Sequence, residues 1–203
     1  MSEKRDIATR MAGNQKQASI SEFFEKNKHF LGFDSLHRSL ITAVKEAVDN
    51  ALDACEEARI LPDIKIDIRK ADPKRDIIEL EVEDNGPGIP RDSIAKVFGQ
   101  LLFGSRFHAI RQSRGQQGIG ITGVVMYSQL TTGKPTHVRS KIASETTAVE
   151  MDLGLDTKSN KAIKSKEQRV PWVLEDGTEK VSGLNVRCRM KAKFQRGKQS
   201  VWQ

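Results

Sequence analysis

Apolar residues recur at three- and four-residue steps from Leu40 and Ile41 through Val44, Val48, Ala51, Leu52 and Cys55, the period of a half-buried helix. The pattern places this helix from about Leu36 to Arg59, ending before Pro62. At roughly 100° per residue, Glu46, Asn50 and Asp53 gather on the face opposite the apolar stripe. Such a face is either the solvated side of an amphipathic helix or one wall of a site. Asn is a poor helix-interior residue because its amide competes for backbone hydrogen bonds, so Asn50 points to a task for its oxygen.

The other elements follow from the same patterning. Ser19 and Glu22 form a capping box ahead of Phe23 and Phe24, opening a short helix that ends by Gly32. Asp63 to Lys70 and Ile77 to Glu83 alternate isoleucine, leucine and valine with charged residues, as half-buried strands do. Asp92 or Ser93 is expected to cap a helix through Ile94, Val97, Phe98, Leu101 and Leu102. Thr136 to Ile142, Thr146 to Leu153, Arg169 to Leu174 and Gly183 to Phe194 read as strands, joined by polar connections such as Lys158 to Gln168. Met1 to Ala18 has no periodicity and reads as a mobile arm.

A chain of 203 residues holds one well-buried core, and 37% hydrophobic with 30% charged residues fits a globular protein. The net charge of +7 is compatible with a polyanion partner without naming one. The two cysteines, Cys55 and Cys188, form no CxxC pair, which leaves metal-finger, redox-motif and disulfide-framework readings without support and points to a reducing, cytoplasmic setting. No apolar run is long enough to span a bilayer.

Three glycine-bearing stretches carry candidate chemistry. The strand ending at Asp84 runs into Asn85, Gly86, Pro87 and Gly88; Asn-Gly there is a hairpin signal, but no strand follows, so these glycines sit at a strand-to-helix junction where a flat ligand can approach the backbone. Gly104 to Gln117, with Arg106, His108, Arg111 and Arg114, is either a solvated basic loop or a lid closing on phosphates. Gly115 to Thr122 then opens an apolar helix, and free amides at a helix N-terminus make an anion site. Gly118, Gly120 and Gly123 match the dinucleotide fingerprint only in letters: no strand precedes them, and no acid lies about twenty residues on. In the last strand Arg187, Arg189, Lys191 and Lys193 form a row of cations, either a solvated sheet face or a contact for DNA phosphates.

Taken together, the runs Glu46–Ala54, Glu83–Pro90, Leu102–Phe107 and Arg114–Gly120, with Ser21–Asn27 near the start, resemble the ATP-binding fold shared by gyrase-type topoisomerases, the large heat-shock chaperone, sensor histidine kinases and MutL. Within that group the resemblance is closest to the B subunits of archaeal DNA topoisomerase VI, and covers about Ser19 to Gln203. It implies an α+β fold, a two-layer sandwich of the Bergerat (GHKL) type with a mixed sheet covered by helices on one face. It implies Glu46 as general base, Asn50 as the Mg²⁺ ligand and Asp53 beside them, with Asp84, Gly86 and Gly88 around adenine. Ser105, Arg106 and the segment Gly115, Gln116, Gln117, Gly118, Ile119, Gly120, Ile121 and Thr122 would cradle the phosphates of ATP. The implied organisation is an arm at 1–18, a dimerisation strap at 19–35, an ATP-binding domain at 36–194 and the start of a connection at 195–203. The implied partners are a second copy of the same subunit on ATP binding, the topoisomerase VI A subunit in an A2B2 assembly, and double-stranded DNA, with no membrane.

Two departures stand out. The family's γ-phosphate lysine lies in a later transducer domain, so the chain is expected to be an amino-terminal fragment with weak turnover by itself. Leu184 also stands where the family tends to have Thr, so that either Thr178 substitutes or adenine recognition is altered. Two other readings compete with a topoisomerase ATPase: a histidine-kinase catalytic domain, and a nucleotide-gated dimerisation module without useful hydrolysis.

Overall fold

The computed structural model describes residues 20–99, 120–156 and 161–194. In chain order these form α1 (Ile20–Asn27), α2 (Leu36–Ala58), β1 (Ile64–Asp72), a 3₁₀ turn (Pro73–Arg75), β2 (Ile77–Asp84), α3 (Arg91–Gly99), α4 (Gly120–Thr132), β3 (Thr136–Lys141), β4 (Ala148–Asp156), β5 (Lys161–Val170) and β6 (Gly183–Lys191). The strands make one sheet in the order β1-β2-β6-β3-β4-β5. Every neighbouring pair in it is antiparallel, which corrects the expected mixed sheet. The one connection that carries α3 and α4 runs from β2 to β3, and β6 fits between those two strands antiparallel to both.

The sheet's two faces follow from strand alternation. Ile78, Leu80 and Val82 of β2 pair in register with Met190, Cys188 and Val186 of β6, and all six are buried on the helix side. They join Leu40 and Ala43 of α2, Ile94 and Phe98 of α3, Val124 and Met126 of α4, and Met151 and Leu153 of β4 in one core. Both cysteines are buried and free, and burial pushes the Cys188 thiol up to about 12.

α2 begins where expected, with the Ser35 hydroxyl accepting from the Arg38 amide at 3.3 Å, a cap of about 1 kcal/mol. It ends at Arg59, whose left-handed φ of 57° turns its N–H back onto Cys55 and Glu56. Its fully buried line is Leu40, Ala43, Ala47, Ala51 and Cys55, while Val44, Val48 and Leu52 are only half-buried. The small residues win the centre of the face because they let the helix lie close to the sheet. In α1, Phe24 is buried against Phe33 and Tyr127 at ring-centroid distances of 5.6 and 6.2 Å, so it serves this chain's own core. Ser19, the expected capping residue, and the arm at 1–18 lie outside the described residues.

Other expectations need correction. α3 starts at Arg91 directly after Pro90, placing Asp92 and Ser93 inside the first turn rather than at the cap. Leu101 and Leu102 lie outside the described residues. The polar stretch expected to connect two strands is itself β5, an exposed edge strand paired to β4, whereas the expected strand at Arg169 to Leu174 supplies only its last two residues. Pro171 to Ser182 instead forms a hairpin closed by a Val173–Glu179 bridge. The hairpin buries Trp172, with the Arg139 guanidinium and the Lys180 ammonium 5.4 and 4.7 Å from its ring centre.

The second face of the sheet is charged and internally paired. Arg189 meets Glu79 at 2.6 Å, Asn185 donates to Glu81 and Glu83, Lys180 meets Glu83 at 2.7 Å, and Lys193 meets Asp76 at 3.0 Å. Of the cation row expected on β6 and just beyond it, Arg189 is thus paired with Glu79 of β2 and Lys193 with Asp76 just before that strand.

α4 is locked to the sheet where β3 gives out. The Gln129 carboxamide donates to the Leu155 carbonyl at 2.7 Å and accepts from the Leu155 amide at 2.6 Å, acting as one rung of a missing strand. Ser128 and Tyr127 donate to the carbonyls of Arg189 and Lys191 at 2.7 and 2.8 Å.

Candidate functional site

Asp84 ends β2 with the same parity as Ile78, Leu80 and Val82, so its carboxylate faces inward and is 4% exposed. A carboxylate at such a depth needs donors. The Gly86 and Leu184 amides both donate to Oδ1, at 2.8 and 3.2 Å. Burial still pushes its pKa above the ordinary value, against those two bonds and the nearby Lys180 ammonium.

The glycines around it are there for space. A Cβ on Gly86 would stand 2.9 Å from Asp84 Oδ1 and 3.3 Å from Cys55 Sγ. Gly88, at φ 72°, brings its backbone so close to β3 that a Cβ would lie 2.1 Å from the Lys141 carbonyl oxygen. The Ser140 hydroxyl bridges the same approach, accepting from the Ile89 amide at 2.7 Å. Gly183 opens β6 beneath Asp84, where a Cβ would meet the Asp84 carbonyl at 2.3 Å.

Along α2 the carboxylate of Glu46 reaches the first residue of α4: a Cβ on Gly120 would lie 1.8 Å from Oε2. Burial raises the Glu46 pKa; Lys45 opposes the shift and Asp49 adds to it. Lys45 is itself held by Asp49 at 2.6 Å. One turn on, Asn50 donates through Nδ2 to the Glu46 carbonyl at 2.6 Å, which commits the nitrogen and turns the carboxamide oxygen away from the helix backbone. Asp53 is half-buried on the same helix.

The structure thus brings Glu46 to Gly120 and Asp84 to Gly86. Ile121 is half-buried, and Thr122 is buried with its hydroxyl 3.5 Å from the Val97 carbonyl, so both side chains serve packing and only their backbone faces the opening of α4. Ser105, Arg106, Gly115, Gln116, Gln117, Gly118 and Ile119 lie outside the described residues, as does the basic lid. Thr178 does not stand in for Leu184: its hydroxyl is tied at 2.6 Å to Asp176 in an exposed turn, and Leu184 contributes its backbone amide to Asp84. Asn85, which the sequence showed only as a turn residue, proves to be a three-way anchor beside Asp84.

Among the described residues no three His, Cys, Asp or Glu side chains converge as a metal cage. The Asn50 oxygen instead suits a hard cation that takes its other ligands from phosphate and water. No helix among the described residues is long and apolar enough to cross a membrane.

Comparison with known proteins bears on the family and the fold. Residues 36–157 match the family model described as histidine kinase-, DNA gyrase B-, and HSP90-like ATPase. The chain is 54% identical over 188 residues to the B subunit of type 2 DNA topoisomerase 6 from Archaeoglobus fulgidus, covering 91% of this chain and 31% of that protein. It is 57% identical over 170 residues to the corresponding protein of Halobacterium salinarum, covering 84% of this chain and 21% of that one. The chain therefore spans about a third or less of the curated relatives it matches. Among solved structures, the ATPase region of Saccharomyces cerevisiae topoisomerase II bound to ICRF-187 (dexrazoxane) matches with a TM-score of 0.50 and 17% identity, over 73% of this chain and 37% of that one, a likeness of fold. With its family match running from residue 36, at the start of α2, to residue 157, this chain belongs to the histidine kinase-, DNA gyrase B- and HSP90-like ATPases.

Proposed function

We propose that this chain is the ATP-binding part of the B subunit of a type II topoisomerase of the topoisomerase VI kind, binding ATP with Mg²⁺ and hydrolysing it within the full-length protein. The observation that carries the reading is the Glu46 carboxylate set against Gly120 at the opening of α4, on the same helix face as Asn50.

In this reading Asp84 accepts the adenine amino group, its backbone donors holding Oδ1 and so aiming the carboxylate. The glycines at 86 and 88 admit the flat base against bare backbone. The amides opening α4, with Gly115 to Ile119 before them and Ser105 and Arg106 of the lid, receive the phosphates. Glu46, its pKa raised by burial, takes a proton from the attacking water. Asn50 would offer its oxygen to Mg²⁺, which would supply positive charge against the phosphates. Closure of two such ATPase chains through the segment around α1, coupling to a DNA-cleaving A subunit, and passage of double-stranded DNA complete the proposal. The names of the archaeal relatives support it.

Calorimetric titration with a non-hydrolysable ATP analogue and Mg²⁺ tests the reading. Saturable binding to the wild-type chain that is lost in Asp84→Ala is expected; no binding to the wild-type chain overturns it.

A further inference from the structure

Asn85 follows Asp84 directly, but its carboxamide serves neighbours far away in sequence. Its Oδ1 accepts from the Asp63 amide at 2.8 Å and from the Cys55 thiol at 3.6 Å, and its Nδ2 donates to the Leu61 carbonyl at 3.0 Å. One side chain thereby joins the last turn of α2, the connection into β1 and the turn that holds Asp84. The contact is close: a Cβ on Gly86 would stand 3.3 Å from Cys55 Sγ and 3.8 Å from Ala54 Cβ. Nearest this contact the buried line of α2 runs through Ala43, Ala47 and Ala51, which have no long side chains to interlock, while the far end of the helix is held separately by the buried Leu40 and by the Leu36 carbonyl, which accepts from the Lys193 amide at 3.1 Å.

We propose that Asn85 is a positioning residue that pins α2 lengthwise against the Asp84 turn, and so sets the spacing between the nucleobase acceptor and the Asn50–Glu46 face. The inference rests on the nucleotide reading given above and deepens it. At about 1.5 Å per residue, Asn50 and Glu46 stand about 7.5 and 13.5 Å along the helix axis from Cys55. α2 is then a ruler fixed at its base-proximal end. A ligand that touches only the Asp84 end is indifferent to the pin, whereas a triphosphate spanning both ends needs it. Polar contacts beside a smooth, alanine-lined stretch of interface are well suited to fixing register in this way.

The test compares dissociation constants of AMP and of a non-hydrolysable ATP analogue with Mg²⁺, using the full chain as wild type, Asn85→Ala and Asn85→Asp. Displacing one end of the ruler is expected to weaken the analogue about tenfold or more in Asn85→Ala and AMP less than about threefold. Asn85→Asp keeps the oxygen that accepts from Asp63 and Cys55, and is expected to recover most of the lost discrimination. Equal weakening of both ligands, or an unchanged affinity for the analogue, overturns the proposal. Melting curves check that Asn85→Ala folds; should it not, Cys55→Ala removes one contact of the same pin and must show the same skew in milder form. A wild-type chain that binds neither ligand removes the nucleotide reading itself, and this inference with it.

Discussion

Asp84 and Glu46 are both carboxylates whose pKa burial raises, yet they are built into opposite situations. Asp84 is nearly enclosed, with two backbone amides on one oxygen and Lys180 close by. Glu46 is only half-buried, and among the described residues no donor is bonded to its carboxylate. The first arrangement fixes an acceptor in one direction. The second sets a half-buried carboxylate at the opening of α4, where the proposed proton transfer would need it. Equal directions of pKa shift therefore accompany different surroundings, and hydrogen bonding separates them.

The sharpest break of this comparison is Glu46→Gln. In the full-length protein it is expected to lower turnover about 10²–10⁴-fold with little change in affinity for the ATP analogue, as read by steady-state kinetics beside calorimetry. Asp84→Asn is expected to reverse the pattern, nucleotide affinity in the same calorimetry falling by about 100-fold, because the acceptor proposed to face the base is replaced by an amide.

The same substitution has a pH signature. The folded pKa of Asp84 lies above its unfolded value, so its contribution to stability is fully present below the ordinary carboxylate range and is lost as pH rises through the raised value. As pH rises through that raised value, ionising Asp84 therefore costs stability. Asp84→Asn is expected to raise the melting temperature at pH 7, with the gain shrinking to nothing near pH 3. A gain independent of pH would show that burial of the charge is not its source.

Smaller effects sharpen the picture. Gly120→Ala drives a methyl group into the Glu46 carboxylate and is expected to lower turnover about tenfold through misalignment, with a shift of melting temperature of only a few degrees. Thr178→Ala, in the exposed turn, is expected to change nucleotide affinity by less than about twofold. A larger loss would return Thr178 to the binding site.

These two regions were also unequally legible in the sequence. α2, β2 and the Asp84 turn carry their signal in local periodicity, since each has one face in the core and one outside it. β5 has no such signal: it is exposed along nearly its whole length, with Ile163 54% exposed, and so reads as a polar connection. The wholly antiparallel pairing depends on where crossovers return, which no local pattern encodes. Asn85 looked like half of an Asn-Gly turn because its partners lie 22 to 30 residues away. The meeting of Glu46 with Gly120 was implied by family resemblance and not by spacing, as the two are joined only through tertiary packing.

The edge strand that escaped detection has a further consequence. A long, flat, apolar edge is an open invitation to another sheet, and stacking of such edges is how β proteins aggregate. β5 withholds that invitation. Lys166 takes a left-handed φ of 52°, the pairing with β4 slips between Glu150 and Asp152, and Lys164, Lys166, Glu167 and Arg169 charge the rim. The polarity that hid this strand from pattern reading is what keeps the outermost backbone of the sheet from sticking to its neighbours in a crowded solution.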